Sequence, residues 1–499
     1  MRNSDKIFLI PIIVLAANFL YRLWDASKLL FTFPLDTTND ISAYIALVHF
    51  FDKYGFLGFV PDWYNGFTLF NTYAPGWVFF THPIYLLTNN LLTATYVSMI
   101  LLFVLGFIGI WFLGREMKIS KVKRVAFFLF VFANPMLIGA ILKQGRLPSL
   151  MSLVIFVYIV YIAYYFKEKP VTKGILFLSL AYAAVILTHQ AETILSGIFL
   201  IGLLFIKENQ GRLKIITALV IGVALSAFWL IPFLKATMTT QFLDIGFSNW
   251  LLDFHAYFWS NLAGIIISLS LFVAFFIYYQ QQKDTKTLLF FSPVLVLNLL
   301  FLLRLVLYIP IIKYIYPDPY QDFFTFFLSF FLVSIDYKRL IPNWRKAIAA
   351  TLIFFSVAGV AYNMTQTPYF QEHTQTEVEL LALIDDIQGK FIMINENTNG
   401  TSYSRAYYAY AAIYENKSSI SGWGDMYKEF SYTDALNKVY REYLKTEDCN
   451  TLSRLHTEFN ATEVLANGHY CETMIDDCQL TVKATEGNAC LLEFTDVQQ

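Results

Sequence analysis

The sequence predicts a polytopic α-helical membrane protein of about 11 transmembrane helices, followed by a C-terminal extracytoplasmic soluble domain of α/β or β-rich type. Three observations predict it. Apolar residues make up 57% of the 499-residue chain and charged residues 15%, whereas soluble domains run at roughly 45–50% and 25%. Charge is also divided: residues 1–365 hold 27 Lys and Arg against 16 Asp and Glu, and residues 366–499 hold 9 against 21. All four cysteines (Cys449, Cys471, Cys478 and Cys490) lie in the acidic end. The chain therefore divides into a basic membrane body, 1–365, and an acidic soluble domain, 366–499. Cysteines confined to the latter imply up to two disulfides and an oxidising compartment. Three pairings are open, and no CxxC pair suggests zinc.

A bilayer crossing needs about 20 mostly apolar residues. Such runs begin near Ile7, Leu91, Val125, Leu147, Gly174, Ala191, Ile215, Phe258, Leu288, Phe323 and Ile348. The first ends in Tyr21, Arg22 and Trp24 with no small-residue cleavage site, so it reads as a retained helix rather than a signal peptide. Between the first two runs lies a long loop, about residues 26–90. Its centre carries Asp36, Asp40, His49, Asp52, Asp62 and His82, groups too costly to place in hydrocarbon. It is expected to lie, partly helical, on the membrane surface.

Lys and Arg in short loops set orientation. Alternate loops at 115–124, 167–173, 207–214, 281–286 and 336–346 are strongly basic and are expected to be cytoplasmic, with the N-terminus. The other set comprises the first loop, Lys143–Pro148, Thr188–Glu192, Pro232–Ala256 and Tyr308–Tyr320. It is poor in Lys and Arg and is expected outside. An odd number of spans then places the acidic domain outside, in agreement with its cysteines. The chain reads as an integral plasma membrane protein.

The C-terminal part opens with an expected linker, Thr365–Thr376. Strand-like runs follow at Phe391–Ile394, Gln479–Val482 and Cys490–Phe494, with helical patterning over Thr433–Lys445. Asn363, Asn399, Asn416 and Asn460 each begin an Asn-x-Ser/Thr sequon. The chain has no P-loop and no nucleotide-binding fingerprint. Its basic stretches are short and membrane-adjacent, so no nucleic-acid partner is expected.

The chemistry-bearing residues gather in the outer set. Asp36 and Asp40 are four apart, on one face if helical. They are candidate catalytic carboxylates, and candidate ligands of a divalent cation, Mg or Mn, although two carboxylates alone make a weak cation signal. The turn ILKQGRLPSL brings Lys143 and Arg146, suited to phosphate oxygens. ILTHQAETI brings His189 and Glu192. Arg304 interrupts an apolar run, an intramembrane charge that points to function. The turn YIYPDPYQDF brings Asp318 and Asp322. Trp63, Tyr64, Tyr73 and Trp77 are suited to a sugar ring or the interface, and His49 completes the candidate binding set. Each has a structural rival: Asp36 and Asp40 as helix-terminal groups, Lys143 and Arg146 snorkelling to headgroups, His189 as a hydrogen-bonded framework residue. A carboxylate loop opposite several cations suits an anionic headgroup on a long lipid, with a carboxylate such as Asp40 as general base.

At these residues the chain resembles the membrane-integral glycosyltransferases of the GT-C superfamily. Within it, the chain is similar to the prokaryotic membrane proteins labelled 6-pyruvoyl-tetrahydropterin-synthase-related. The matching positions are Asp40, His49, Gly58, Pro61, Trp63, Gly66, Tyr73 and Pro75, then Gly145, Arg146, Pro148 and His189. The resemblance covers about residues 1–365. It implies a GT-C-like body and a polyprenyl-phosphate-sugar donor, with a glycan, lipid or protein acceptor on the extracytoplasmic side. It further implies Asp40 first and Asp36 second as catalytic carboxylate, with inversion at the anomeric carbon. No second acidic pair and no WWDxG-type motif is present, which favours single-sugar transfer over oligosaccharide transfer to asparagine. Soluble pterin chemistry would need a three-His zinc site, and the seven histidines are scattered. Two rival functions stand beside this one: a transporter or flippase of lipid-linked sugars, and a non-enzymatic cell-envelope assembly protein.

Overall fold

The computed structural model describes residues 3–35, 40–239, 247–367, 369–395, 405–424, 428 and 430–494. In chain order the membrane body opens with helices α1 (Leu9–Ala26) and α2 (Ile41–Tyr54), then the short hairpin β1 (Phe59–Val60) and β2 (Phe67–Thr68). It continues with α3 (Gly76–Thr88), α4 (Leu91–Glu116), α5 (Lys121–Phe132), α6 (Pro135–Gln144) and α7 (Leu147–Glu168). Next come α8 (Leu176–Ile186), α9 (Gln190–Ile206), α10 (Asn209–Thr239) and α11 (Phe247–Leu252). The body closes with α12 (Phe258–Gln282), α13 (Thr285–Leu302), α14 (Pro317–Ser334) and α15 (Pro342–Gln366).

All eleven expected apolar runs are helical. Among the described residues seven helices (α1, α4, α7, α10, α12, α13 and α15) are long and apolar enough to cross a bilayer alone, and α5 with α6, bent by 46°, makes an eighth. The runs in α8 and α9 are shorter, and α14 opens with Asp318 and Asp322. Exposed apolar side chains such as Val220, Phe228 and Phe354 face outward from α10 and α15, the surface that acyl chains cover. Inside, α14 is a ridge of phenylalanines: Phe327 lies tilted 5.2 Å from Phe199, and Phe331 meets Phe291 edge-on at 4.9 Å. Such packing fixes the helix, and with it the two carboxylates on its first turns.

The five basic loops form one connected face. Lys169 pairs with Glu116 at 2.8 Å and Lys286 with Glu168 at 3.0 Å. Lys207 donates to the Lys169 carbonyl at 2.9 Å and Gln281 accepts from Asp336 N at 2.8 Å. Lys123 reaches the Ile335 carbonyl at 2.7 Å. The acidic first loop meets the other turns elsewhere: Asp40 N donates to Gln144 O at 2.9 Å and Gly76 N to Leu187 O at 2.6 Å. The alternation of loop charge along the sequence is thus a separation in space.

After α15 come α16 (Gln375–Ile384), β3 (Phe391–Ile394), α17 (Arg405–Tyr414), α18 (Phe430–Thr446), α19 (Cys449–Phe459), β4 (Glu463–Asn467), α20 (His469–Asp476), β5 (Thr481–Glu486) and β6 (Ala489–Glu493). The four strands form one sheet in the order β3-β4-β6-β5, parallel between β3 and β4 and antiparallel elsewhere. The expected strand at Gln479–Val482 begins later and runs longer, because Gln479 adopts a left-handed φ of 55° before it. Disulfides join Cys449 to Cys478 and Cys471 to Cys490. They tie α19 to the end of α20, and α20 to β6.

The expected linker is not free chain. Phe370 N donates to Asp25 at 2.9 Å, His373 bonds the Phe33 carbonyl at 2.8 Å, and Arg22 holds the carbonyls of Asn363 and Thr367. Nor does the first loop lie open on a surface, since the C-terminal segment covers it. Trp63 is 0% exposed and donates to Tyr408 O at 3.0 Å. Asn65 reaches the Phe459 carbonyl at 2.7 Å, and Ser419 N donates to Asp62 O at 2.9 Å. The sequon at Asn363 is buried, its side chain taken by Arg22 at 2.9 Å, so it offers no acceptor for a glycan. Asn399 lies outside the described residues.

Candidate active site

Asp40 occupies the N-cap position of α2 but makes no side-chain cap bond. Its carboxylate turns elsewhere: Oδ1 accepts from the Trp423 indole at 2.7 Å. Burial pushes its pKa above the usual carboxylate range, opposed by the Trp423 bond and by the charges of Arg146 and Arg405. Asp40 is therefore a half-buried acid held by an indole within the field of two cations, not a free helix-end charge.

The KQGRLP turn positions Arg146. α6 ends on Gly145 at φ 67°, a left-handed conformation that glycine adopts without strain, and α7 begins with Pro148 in its first turn. Arg146, between them, lies 3.7 Å from Asp318 and 5.7 Å above the Tyr316 ring, with its Nε bonded to Gln144 at 3.1 Å. Gln144 also receives the Asp40 amide, so the turn fixes the acid and the cation together. The Tyr73 hydroxyl, 3.1 Å from that of Tyr44, is deeply buried, which raises its pKa. The charges of Asp40 and Glu192 add to the rise and Arg146 opposes it. His189 stands at the N-cap position of α9 without a side-chain cap bond and turns its Nδ1 onto Glu192 of the same helix turn. The turn closes on the first loop at Gly76, where a Cβ would stand 2.6 Å from the Leu187 carbonyl. Asp40, Tyr44, Tyr73, Arg146, Glu192, Tyr316 and Asp318 thus form one polar cluster above the phenylalanine core. Asp322 and Glu192 line a small cavity beneath it with Leu153, Phe156 and Phe323.

Other candidates lie apart. Trp63 is enclosed beneath the C-terminal segment, with no face left for a sugar. His49 sits nine residues along α2 from Asp40, ~13 Å of helix rise. It lies among the charges of Lys53, Asp62 and Asp52. Arg304 is not within a span: it follows α13 at φ 62°, bonds Asn261 at 2.9 Å and lies over Phe254 and Phe301. Asp36 and the Lys143 side chain lie outside the described residues. The expected cation pair of Asp36 and Asp40 is therefore only half described. Among the described residues no three His, Cys, Asp or Glu converge.

Sequence reasoning placed Asp318 only as a turn residue and missed Trp423 and Arg405. Their link to Asp40 and Arg146 spans hundreds of positions, which no local pattern reports.

The architecture aligns over 97% of this chain, at 13% identity and a TM-score of 0.61, with the cryo-EM structure of arabinofuranosyltransferase AftD from mycobacteria, covering 40% of that protein. A mutant form of the same enzyme aligns at a TM-score of 0.61 and 13% identity over 96% of this chain and 41% of its own. The chain thus spans about two-fifths of the length of these structures and shares their fold. No curated protein is similar enough to count as a relative. The model of the 6-pyruvoyl-tetrahydropterin synthase related domain, described as a membrane protein, matches residues 70–366. That match takes in more than half of the chain, which therefore belongs to this family of membrane proteins.

Proposed function

We propose that the protein is a membrane glycosyltransferase that moves a single sugar from a polyprenyl-phosphate-linked donor to a hydroxyl acceptor on the extracytoplasmic side, the side carrying the C-terminal segment. One observation carries the reading: a part-buried carboxylate, Asp40, held by the Trp423 indole and tied through Gln144 to the turn that bears Arg146, on the fold shared with a solved arabinofuranosyltransferase. The acceptor hydroxyl oxygen attacks the anomeric carbon while the bond from that carbon to the donor phosphate oxygen breaks. The hydroxyl proton passes to the Asp40 carboxylate, and the electron pair leaves with the polyprenyl phosphate. Arg146 balances the charge that gathers on the phosphate, as a planar fork does for phosphate oxygens. A single displacement of this kind inverts the anomeric carbon. The transporter reading is weaker, because Arg304, its main intramembrane charge, sits at a helix end.

The test is transfer in lipid nanodiscs from polyprenyl-phosphate donors carrying arabinofuranose or a hexose. Asp40→Asn is expected to lower kcat by about 10²–10⁴-fold, the usual contribution of a general base. Turnover unchanged from wild type removes Asp40 from the chemistry.

A further inference from the structure

We propose that Trp423 is a positioning residue for Asp40, so that the C-terminal segment supplies one wall of the reaction site; this rests on the reading of Asp40 as the catalytic carboxylate. The Trp423 Nε1–H donates to Asp40 Oδ1 at 2.7 Å, and the indole is 8% exposed. An indole offers one donor and no acceptor, so it favours the ionised carboxylate and fixes the plane of its oxygens.

The turn that carries Trp423 is clamped on both sides by the turn between β1 and β2. Tyr64 N donates to Ser421 O at 3.4 Å, and the Tyr64 hydroxyl donates to Gly424 O at 3.0 Å. Gly422 lies flat on Trp63, where a Cβ would come within 2.8 Å of the indole ring. The buried, unsolvated Trp63 thus acts as an anvil for the Ser-Gly-Trp-Gly turn. The other groups facing Asp40 are Arg146 from the start of α7 and Arg405 from the start of α17. Tyr73 ahead of α3 and Tyr316 ahead of α14 also act on it, and Tyr44 of α2, Glu192 of α9 and Asp318 of α14 belong to the same cluster.

Trp423→Phe keeps the ring and removes the donor. Without that bond the ionised carboxylate is less favoured, so the acid limb of kcat/KM moves upward by about one pH unit. Trp229→Phe on α10 removes an indole bond of the same kind, to Phe70 O, away from this turn, and leaves the limb in place. A second readout does not depend on transfer. In full-length protein in nanodiscs with ¹⁵N-labelled indole groups, the resonance lost in Trp423→Phe shifts as Asp40 titrates in wild type and not in Asp40→Asn. An unmoved acid limb in folded Trp423→Phe, or an indole resonance indifferent to Asp40→Asn, overturns the role of Trp423. The first result beside an inactive Asp40→Asn leaves the glycosyltransferase reading standing. An active Asp40→Asn overturns that reading, while the indole titration still decides whether the two side chains are coupled.

Discussion

At the scale of single residues, Asp40 is held in a state that favours chemistry over stability. Burial raises its pKa, so its ionised form costs folding free energy. A carboxyl with a raised folded pKa stabilises the fold only below its unfolded pKa, and that contribution is lost as pH rises through the folded value. Asp40→Asn is therefore expected to melt no lower than wild type at neutral pH, while losing transfer. A thermal shift series beside the transfer assay checks both halves. The acid limb of kcat/KM should fall above the ordinary value of 3.8, because the base works only when ionised. Asp318 makes a second case. It lies 3.7 Å from Arg146, both side chains being part exposed, so the pair contributes ~1 kcal/mol or less to stability. Asp318→Asn is expected to leave the melting temperature almost unchanged and to lower KM for the donor a few-fold, since a competing anion is removed from Arg146. Asp40, Arg146 and His189 were legible as chemistry-bearing residues in the turns poor in Lys and Arg. Their partners were not, because an Asp40–Trp423 pair is 383 positions apart. The opposite error occurred at Trp63, whose aromatic character suits a sugar or a buried interface equally well until its surroundings are known.

At the scale of elements, two glycines decide whether the turns meet. Gly145 holds a φ of 67° at the end of α6, and an L-residue there costs roughly 1–2 kcal/mol. Gly145→Ala is expected to cost about that in stability and to raise KM and lower kcat together, because the turn holds Arg146 and, through Gln144 O, Asp40. Gly76 presses on the Leu187 carbonyl, where an added methyl forces backbone apart and costs ~1–3 kcal/mol. Gly76→Ala should lower the melting temperature and separate α3 from the His189 turn, visible as faster amide exchange over 185–190. Apolar run length located eleven of the fifteen described helices of the body, since a span announces itself by composition; no run begins at α2, α3, α6 or α11. Broken spans, the length of β5 and the parallel pairing of β3 with β4 did not announce themselves, because partners set them rather than local sequence.

For the molecule as a whole, the family match ends at residue 366, yet the body is not closed there. Trp63 packs 4.9 Å from Phe50 on one side and bonds Tyr408 on the other, and Tyr64 bonds Gly424. Removing residues 367–499 would bare those rings together, a patch of the kind that drives association in water. The body alone is therefore expected to run as aggregates on size exclusion in detergent and to show no transfer. Reduction is a milder route to the same end. The disulfides join residues 29 and 19 positions apart, and each loop closure is worth ~3 kcal/mol by loop entropy. A thiol reductant should melt the C-terminal sheet first and remove Trp423 from Asp40. Activity should then fall in step with near-ultraviolet dichroism while far-ultraviolet helix signal persists. A reduced or truncated protein that stays monodisperse and transfers sugar at the wild-type rate would mean that the body builds its site unaided, and that the covering of the first loop is packing alone.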